Sequence, residues 1–382
     1  MGLAAGLPPA GPALAPSGTC LAAFVRGGNL QWRSPAPGAW LAATANPGDR
    51  AAGQWWHAVI ALPLTLLLSL VGCGLYLRAA RRLQILDRPN ERSSHTRPTP
   101  HGGGVPLLLA LALGVAMAAV SWQQQYLLLL ALALGLSALG VLDDMRGLGV
   151  RLRFALYGLC CLVAVLVIQD PLSAPGPISL AIAAASVFAL LWMLNLYNFM
   201  DGIDGYAATQ CIVACGCAAL LAWGQAAPPQ YPLFCLLLAA AQVGFLFWNW
   251  PSARLFMGDA GSVPSGFLLG ALALLGQAQG YLPLASWLIL LAVFITDASV
   301  TLLWRMASGQ AFTQPHRLHA YQRLSRHLGG HLPVVLLLLA LNGLWLFPLA
   351  LAAAVFPGYS ILLVILAYVP LLAGMAKIRH FR

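Results

Sequence analysis

The scarce acids of this chain gather in a few short polar stretches. Of ten Asp and Glu in 382 residues, seven fall in "DRPNERSSHTRPTPHGGGVP", "VLDDMRGLGVR", "NLYNFMDGIDG" and "NWPSARLFMGDAGS": Asp87, Glu91, Asp143, Asp144, Asp201, Asp204 and Asp259. Adjacent carboxylates such as Asp143 and Asp144 suit proton abstraction or the positioning of a phosphate. Asn195, Asn198, Asp201 and Asp204 recur every three residues, which on a helix end would line them along one face. Carboxamides and carboxylates in that array suit a hard cation or the donor groups of a nucleobase. Gly202 and Gly205 would let a ligand approach the backbone closely. Asp259 stands between Gly258 and Gly261, after Asn249 and Arg254, and before a helix that Ser262 is expected to cap. A carboxylate at a helix N-terminus, where anions also bind, is a meeting point for Mg²⁺ and phosphate. The competing reading, solvated loops and capped helix ends, weakens as four stretches repeat the pattern.

A fifth stretch, "QPHRLHAYQRLSRHLGGH", is cationic. His316, Arg317 and His319, followed by Arg323 and Arg326, suit phosphate oxygens. Zinc is the lesser reading, because no cysteine lies nearby. The triple glycine Gly102–Gly104 lacks a following GK[ST], so as a phosphate cradle it is a weak signal.

The elements that must hold these residues are membrane helices. The chain is 60% hydrophobic and 8% charged, with mean hydropathy +0.81, whereas a soluble domain carries about 25% charge. A single large soluble core is excluded. Apolar segments near 56–79, 104–121, 126–142, 153–169, 177–197, 206–224, 231–249, 263–279, 281–305, 333–355 and 357–376 are each taken as a crossing of the bilayer. The expected fold is all-α, a polytopic transmembrane helical bundle of about eleven spans. Residues 1–54, rich in Ala, Gly and Pro, lack the basic n-region of a signal peptide. They are expected to be a disordered extension or a mis-assigned start, ahead of a membrane domain at 55–382. Cys73, Cys160, Cys161, Cys211, Cys215, Cys217 and Cys235 fall in apolar segments without CxxC spacing and read as small packing residues.

Loop charge orients the bundle. Connections near 122–125, 170–176, 225–230, 279–281 and 356–360 carry one charge, Asp170, while all seventeen Lys and Arg after residue 54 lie on the other side. The positive-inside rule puts the N-terminus outside and the C-terminus in the cytoplasm. Every acid-bearing stretch is then cytoplasmic. The net charge of +10 fits orientation and anionic ligands rather than nucleic acid. A transporter of lipid-linked sugars would instead place ionisable groups near the midplane, which only Asp297 approaches. A carboxylate there costs roughly 2.5–3.5 kcal/mol, so Asp297 should face the interior, with Thr301 and Arg305 on its side. An aspartate-rich membrane prenyltransferase is the other alternative, but its four-residue steps are not the adjacent and three-residue steps found here.

Together, in order, "DRPNERSSHTRPTPHGGGVP", "VLDDMRGLGVR", "NLYNFMDGIDG", "NWPSARLFMGDAGS" and "HRLHAYQRL" resemble the motifs of the polyprenyl-phosphate N-acetylhexosamine-1-phosphate transferases, glycosyltransferase family 4. That superfamily includes phospho-N-acetylmuramoyl-pentapeptide transferase and the enzymes that initiate O-antigen and teichoic acid linkage units. The motifs cover roughly residues 56–330. The resemblance implies transfer of a sugar-1-phosphate from a UDP-N-acetylhexosamine to undecaprenyl phosphate at a bacterial cytoplasmic membrane. UMP is released, and the ion is Mg²⁺, with Mn²⁺ as the substitute. An oligomer is compatible with it. By the same resemblance, Asn198 and Asp259 form the metal site, and Asp201, Asp204 and Asn249 contact the nucleotide. Asp143 deprotonates or positions the lipid phosphate with Asp144 beside it, and His319 joins them as a catalytic residue. Arg92, Arg151, His316 and Arg317 bind phosphate. Direct displacement and a covalent aspartyl intermediate both remain open. The chain departs from the family in two places: His101 stands where Arg usually precedes the glycines, and "HRLHAYQ" lacks three consecutive histidines. The second departure argues against a peptide-bearing donor and for a plain, or 6-deoxy, N-acetylhexose as in O-antigen initiation.

Overall fold

The computed structural model describes residues 23–26, 29–32, 48–87, 98–118, 120–309 and 318–378. The chain divides into two compact units, Met1–Gly53 and Gln54–Arg382. Within the first, β1 (Ala23–Arg26) pairs antiparallel with β2 (Asn29–Trp32). Most of the expected N-terminal extension lies outside the described residues.

The second unit is a helical bundle. Its helices are α1 (Gly48–Arg82, in this unit from Gln54), α2 (Gly104–Met117), α3 (Gln124–Arg146), α4 (Val150–Gln169) and α5 (Pro177–Met200). They continue with α6 (Tyr206–Gly224), α7 (Gln230–Asn249), α8 (Asp259–Gln279), α9 (Leu284–Leu290) and α10 (Ala292–Ala307). After α11 (Ala320–His327) come α12 (Leu332–Leu341), α13 (Phe347–Val355) and α14 (Ser360–Ile378). A π-turn at Asn342–Leu346 joins α12 to α13 as one span. Nine described helices are long and apolar enough to cross a membrane, ten if α9 and α10 count as one bent span. The protein is an integral membrane protein.

Two segments of the sequence count look different in space. Residues 104–121 yield only the 14-residue α2, about 21 Å at 1.5 Å per residue. The 281–305 segment breaks at Leu291, where α9 and α10 meet at 73°. A bend frees carbonyls that lipid cannot satisfy. Here the buried Gln210 on α6 donates to the Leu290 carbonyl at 2.8 Å, and Asn342 donates to the Gln210 side-chain oxygen at 3.1 Å.

Helix α8 is the hub. It packs on α2, α3, α4 and α5, and 83% of its apolar stretch is buried, against 6% for the final span. Small residues permit this. A Cβ at Gly266 would lie 2.9 Å from the Leu194 Cα of α5. Ile361, Leu362, Ile365 and Val369 on α14 stay exposed, as expected of side chains that face lipid. The seven described cysteines are free thiols, buried or partly so, consistent with packing.

Candidate active site

The double aspartate ends α3. Gly147 takes a left-handed conformation (φ +63°), and its N–H caps the Asp143 carbonyl at 2.7 Å; a side chain would strain that turn. After Gly149 the chain re-enters a helix at Val150, so Arg153 comes back against Asp143. Its guanidinium pairs with Asp143 Oδ2, while the Leu148 N–H donates to Oδ1 at 2.8 Å. The same guanidinium reaches Asp259 Oδ2 at 3.7 Å. One cation thus stands between acids of two helices.

Asp259 owes its place to glycines. Gly258 adopts φ +71° immediately before α8, which makes Asp259 the first helical residue and sets its carboxylate at the positive end of the helix. On one side, a Cβ on Gly140 of α3 would come within 2.6 Å of the Ala260 nitrogen; on another, a Cβ on Gly104 would meet the Gly261 Cα at 2.1 Å. The N-termini of α2 and α8 and the last turns of α3 therefore touch backbone to backbone. The triple glycine is a packing device. The Gly103 and Gly104 N–H groups donate to the Phe256 and Met257 carbonyls at 2.9 Å each, so they do not face a phosphate.

The short antiparallel pair β3 (Leu86–Asp87) and β4 (Thr99–Pro100) brings in the next residue, His101. Its Nδ1 lies 3.5 Å from Asp144 Oδ2. The Asp144 carboxylate raises the His101 pKa, burial opposes it, and the charges of Asp144, Asp87 and Asp259 add to the rise.

Helix α5 ends at Met200, so the three-residue array does not share one face. Asn195 donates back to the Leu191 carbonyl at 2.7 Å. Asn198 faces the site: Ser262 Oγ donates to its Oδ1 at 2.6 Å, and its side chain hydrogen-bonds Asp259. Ser262 is thereby corrected from cap to positioner, since Gly258 is the N-cap and no side chain caps α8. Asp201 closes the helix; burial, then Asp259 and Asp204, push its carboxyl well up. Asp204 lies beyond the helix; its Oδ2 takes the Ala253 N–H at 3.0 Å and lies 3.0 Å from His331 Nδ1, which accepts the Asp204 backbone N–H at 3.3 Å. Asn249 is 3% exposed and bonds on both ends, accepting from the Gly205 N–H and donating to the Leu255 carbonyl. Expected at the nucleotide, its side chain ties two loops together.

Of the expected site residues, Asp143, Asp144, Asn198, Asp201 and Asp259 converge on one end of the bundle. Arg151 is exposed; two residues along a helix turn about 200°, so Arg153 rather than Arg151 points inward. His319 is buried at the start of α11, against Asp297. Arg92, His316 and Arg317 lie outside the described residues. Arg153 and His331 are the contributors that motif reading missed, and His101, met there only as a departure from Arg, gains Asp144 as its partner. Only the ten-residue interval from Asp143, spanning a glycine turn, could have pointed to Arg153.

Among the described residues no cluster of three or more His, Cys, Asp or Glu closes on one point. Asp259 offers its carboxylate oxygens and Asn198 an amide oxygen that also accepts from Ser262 Oγ. That is too few for a protein-made cage, yet it suits Mg²⁺, which keeps several waters and completes its shell with substrate phosphates. The donor set fits that ion.

Comparison with known proteins agrees with this architecture. Residues 126–277 match the model of glycosyl transferase family 4. A probable undecaprenyl-phosphate N-acetylglucosaminyl 1-phosphate transferase of Bacillus subtilis is 25% identical over 70% of this chain and 76% of its own length. An undecaprenyl-phosphate alpha-N-acetylglucosaminyl 1-phosphate transferase of Thermotoga maritima is 32% identical over 56% and 61%. The phospho-N-acetylmuramoyl-pentapeptide-transferase of Geobacillus kaustophilus is 30% identical over 58% of this chain and 76% of its own length. With the ends of α3, α5 and α8 bringing four acids into one cluster and these relatives beside it, the chain belongs to glycosyl transferase family 4, whose members here are polyprenyl-phosphate N-acetylhexosamine-1-phosphate transferases.

Proposed function

We propose that this protein transfers an N-acetylhexosamine-1-phosphate from a UDP-sugar to undecaprenyl phosphate at the cytoplasmic membrane face, releasing UMP. The product would start O-antigen or another cell-envelope glycan. The observation that carries this reading is Arg153, held between Asp143 of one helix end and Asp259 of another. A phosphoryl transfer between two anions needs such positioning and charge compensation more than covalent chemistry. An oxygen of the lipid phosphate attacks the sugar-linked phosphorus, and the bond to the bridging oxygen of UMP breaks. Asp143, oriented by Arg153 and the Leu148 N–H, is the acceptor-side base, with Asp144 and His101 beside it. Asn198 and Asp259 would hold Mg²⁺, which neutralises charge on the donor diphosphate when bound. Asp201, whose carboxyl burial pushes up, is the nucleotide contact at the end of α5. Asp204 and Asn249 shape the nucleotide side by holding loops. His316, Arg317, Arg92 and His319 supply the phosphate-side cations. The absence of three consecutive histidines in "HRLHAYQ" favours a plain or 6-deoxy N-acetylhexose over a peptide-bearing donor.

Membranes containing the protein should release UMP from a UDP-N-acetylhexosamine only when undecaprenyl phosphate and Mg²⁺ are both added. No release with UDP-GlcNAc, UDP-GalNAc or their 6-deoxy relatives would sink the proposal. In the same assay Arg153→Ala should lower kcat by about 10²-fold, the usual scale for one preorganised charge donor, while Arg151→Ala stays near wild type.

A further inference from the structure

Asp297 has no part in the mechanism above, yet it is the most heavily hydrogen-bonded carboxylate described. It lies on α10, 4% exposed. Oδ1 accepts from Thr301 Oγ1 at 3.1 Å, His319 Nδ1 at 3.2 Å and the Ala320 N–H at 2.9 Å; Oδ2 accepts from the Tyr321 N–H at 2.9 Å. Three of these four donors meet at Oδ1 and one at Oδ2. Asp297 is thereby held by donors from its own helix and from the start of α11. It works as an N-terminal cap for α11, supplied by a different helix.

The contact extends to the reacting end of the bundle. His319 stacks on Tyr321 at 5.7 Å between centroids, Tyr321 on Tyr206 at 5.1 Å, and Tyr206 on Phe294 at 5.0 Å. The Tyr321 hydroxyl donates to the Phe199 carbonyl at 2.9 Å. Gly202 leaves room for it, because a Cβ there would stand 2.0 Å from that oxygen. Phe199 sits between Asn198 and Asp201. One buried carboxylate therefore registers the start of α11 against the α5 terminus.

We propose that Asp297 is a positioning residue for sugar-phosphate transfer, fixing the His319 ring and the α11 N-terminus in register with Asn198 and Asp201. This rests on the proposed role of His319 on the phosphate side. With Nδ1–H committed to Asp297, any substrate contact of His319 goes through Nε2, whose direction Asp297 sets.

The test uses the full chain in lipid nanodiscs, with undecaprenyl phosphate, Mg²⁺ and the UDP-N-acetylhexosamine that the wild type turns over. Asp297→Asn, His319→Asn and the double variant are compared for kcat, KM and thermal unfolding. Asp297→Asn should lower kcat about 10²-fold, the scale of a misplaced reacting group, with KM for the sugar nucleotide far less changed. The double variant should be no slower than the slower single one, as expected of residues acting as a unit. Multiplied losses in the double variant, or full activity of Asp297→Asn, would overturn the positioning role alone. Full activity of His319→Asn would overturn both it and the phosphate-side reading, as would an inactive wild type. If Asp297→Asn fails to accumulate, Tyr321→Phe keeps the ring and removes only the bond to Phe199. A lowered kcat at unchanged KM supports the proposal, and an unchanged kcat overturns it.

Discussion

At the scale of single residues, the site is a small set of acids whose charges are shared out among a few basic partners. Arg153 serves Asp143 and Asp259, and His101 serves Asp144. His101 is the partner that pH can remove. Its folded pKa is raised, chiefly by Asp144, so its contribution is fully present below the ordinary imidazole value of about 6.5. It is lost as pH rises through the raised value. Thermal stability of the wild type should therefore fall over that window relative to His101→Arg, whose charge persists; parallel unfolding profiles for the two would refute this. The family motif revealed the position of His101 and its departure from Arg. The partner was not legible, because Asp144 is 43 residues away along the chain and meets it only through the β3–β4 pair.

At the scale of elements, glycines decide how closely the acid-bearing helices meet. Gly140→Ala should destabilise the protein by about 1–3 kcal/mol, as overpacking does, because the added Cβ meets the Asp259–Ala260 backbone. It should also cut UMP release by moving Asp259 away from Asp143. Gly135, on the same helix, has nothing near its missing Cβ, so Gly135→Ala should leave both quantities unchanged. Chemical denaturation and the release assay, run on both variants, check this. The helices themselves were readable from hydropathy, because an apolar run of about twenty residues has few alternatives to a membrane helix. Their ends were less so. The three-residue spacing from Asn195 to Asp204 promised a single face, but α5 stops at Met200 and Asp204 belongs to a loop. The break at Leu291 left no Pro or Gly signal at that position; it depends on Gln210 and Asn342, far away in sequence.

At the scale of the whole molecule, the alternation of spans explains why the acids share one end. α3, α5 and α7 finish there, and α4, α6 and α8 begin there. If that end is cytoplasmic, a cysteine at Arg146 should react with an impermeant maleimide only from the cytoplasmic side. One at Ser173, in the opposite connection, should react only from outside. Labelling both from the same side would reject the topology. The charge asymmetry of the loops gave this expectation, since Lys and Arg report the side on which a loop remained. It could not reveal that α8 would be the buried hub, because burial among helices depends on which faces meet.

The backbone contact among α2, α3 and α8 bears on how the protein meets a changing bilayer. Side-chain packing gives way when lipids thin or stiffen, whereas Gly104, Gly140 and Gly261 bring the backbones of α2, α3 and α8 into direct contact around Asp259. The outermost span, nearly all of it facing lipid, is free to tilt with membrane thickness. The separation of the α3 and α8 backbones beside Asp259 should therefore vary less with bilayer thickness than the tilt of the last span.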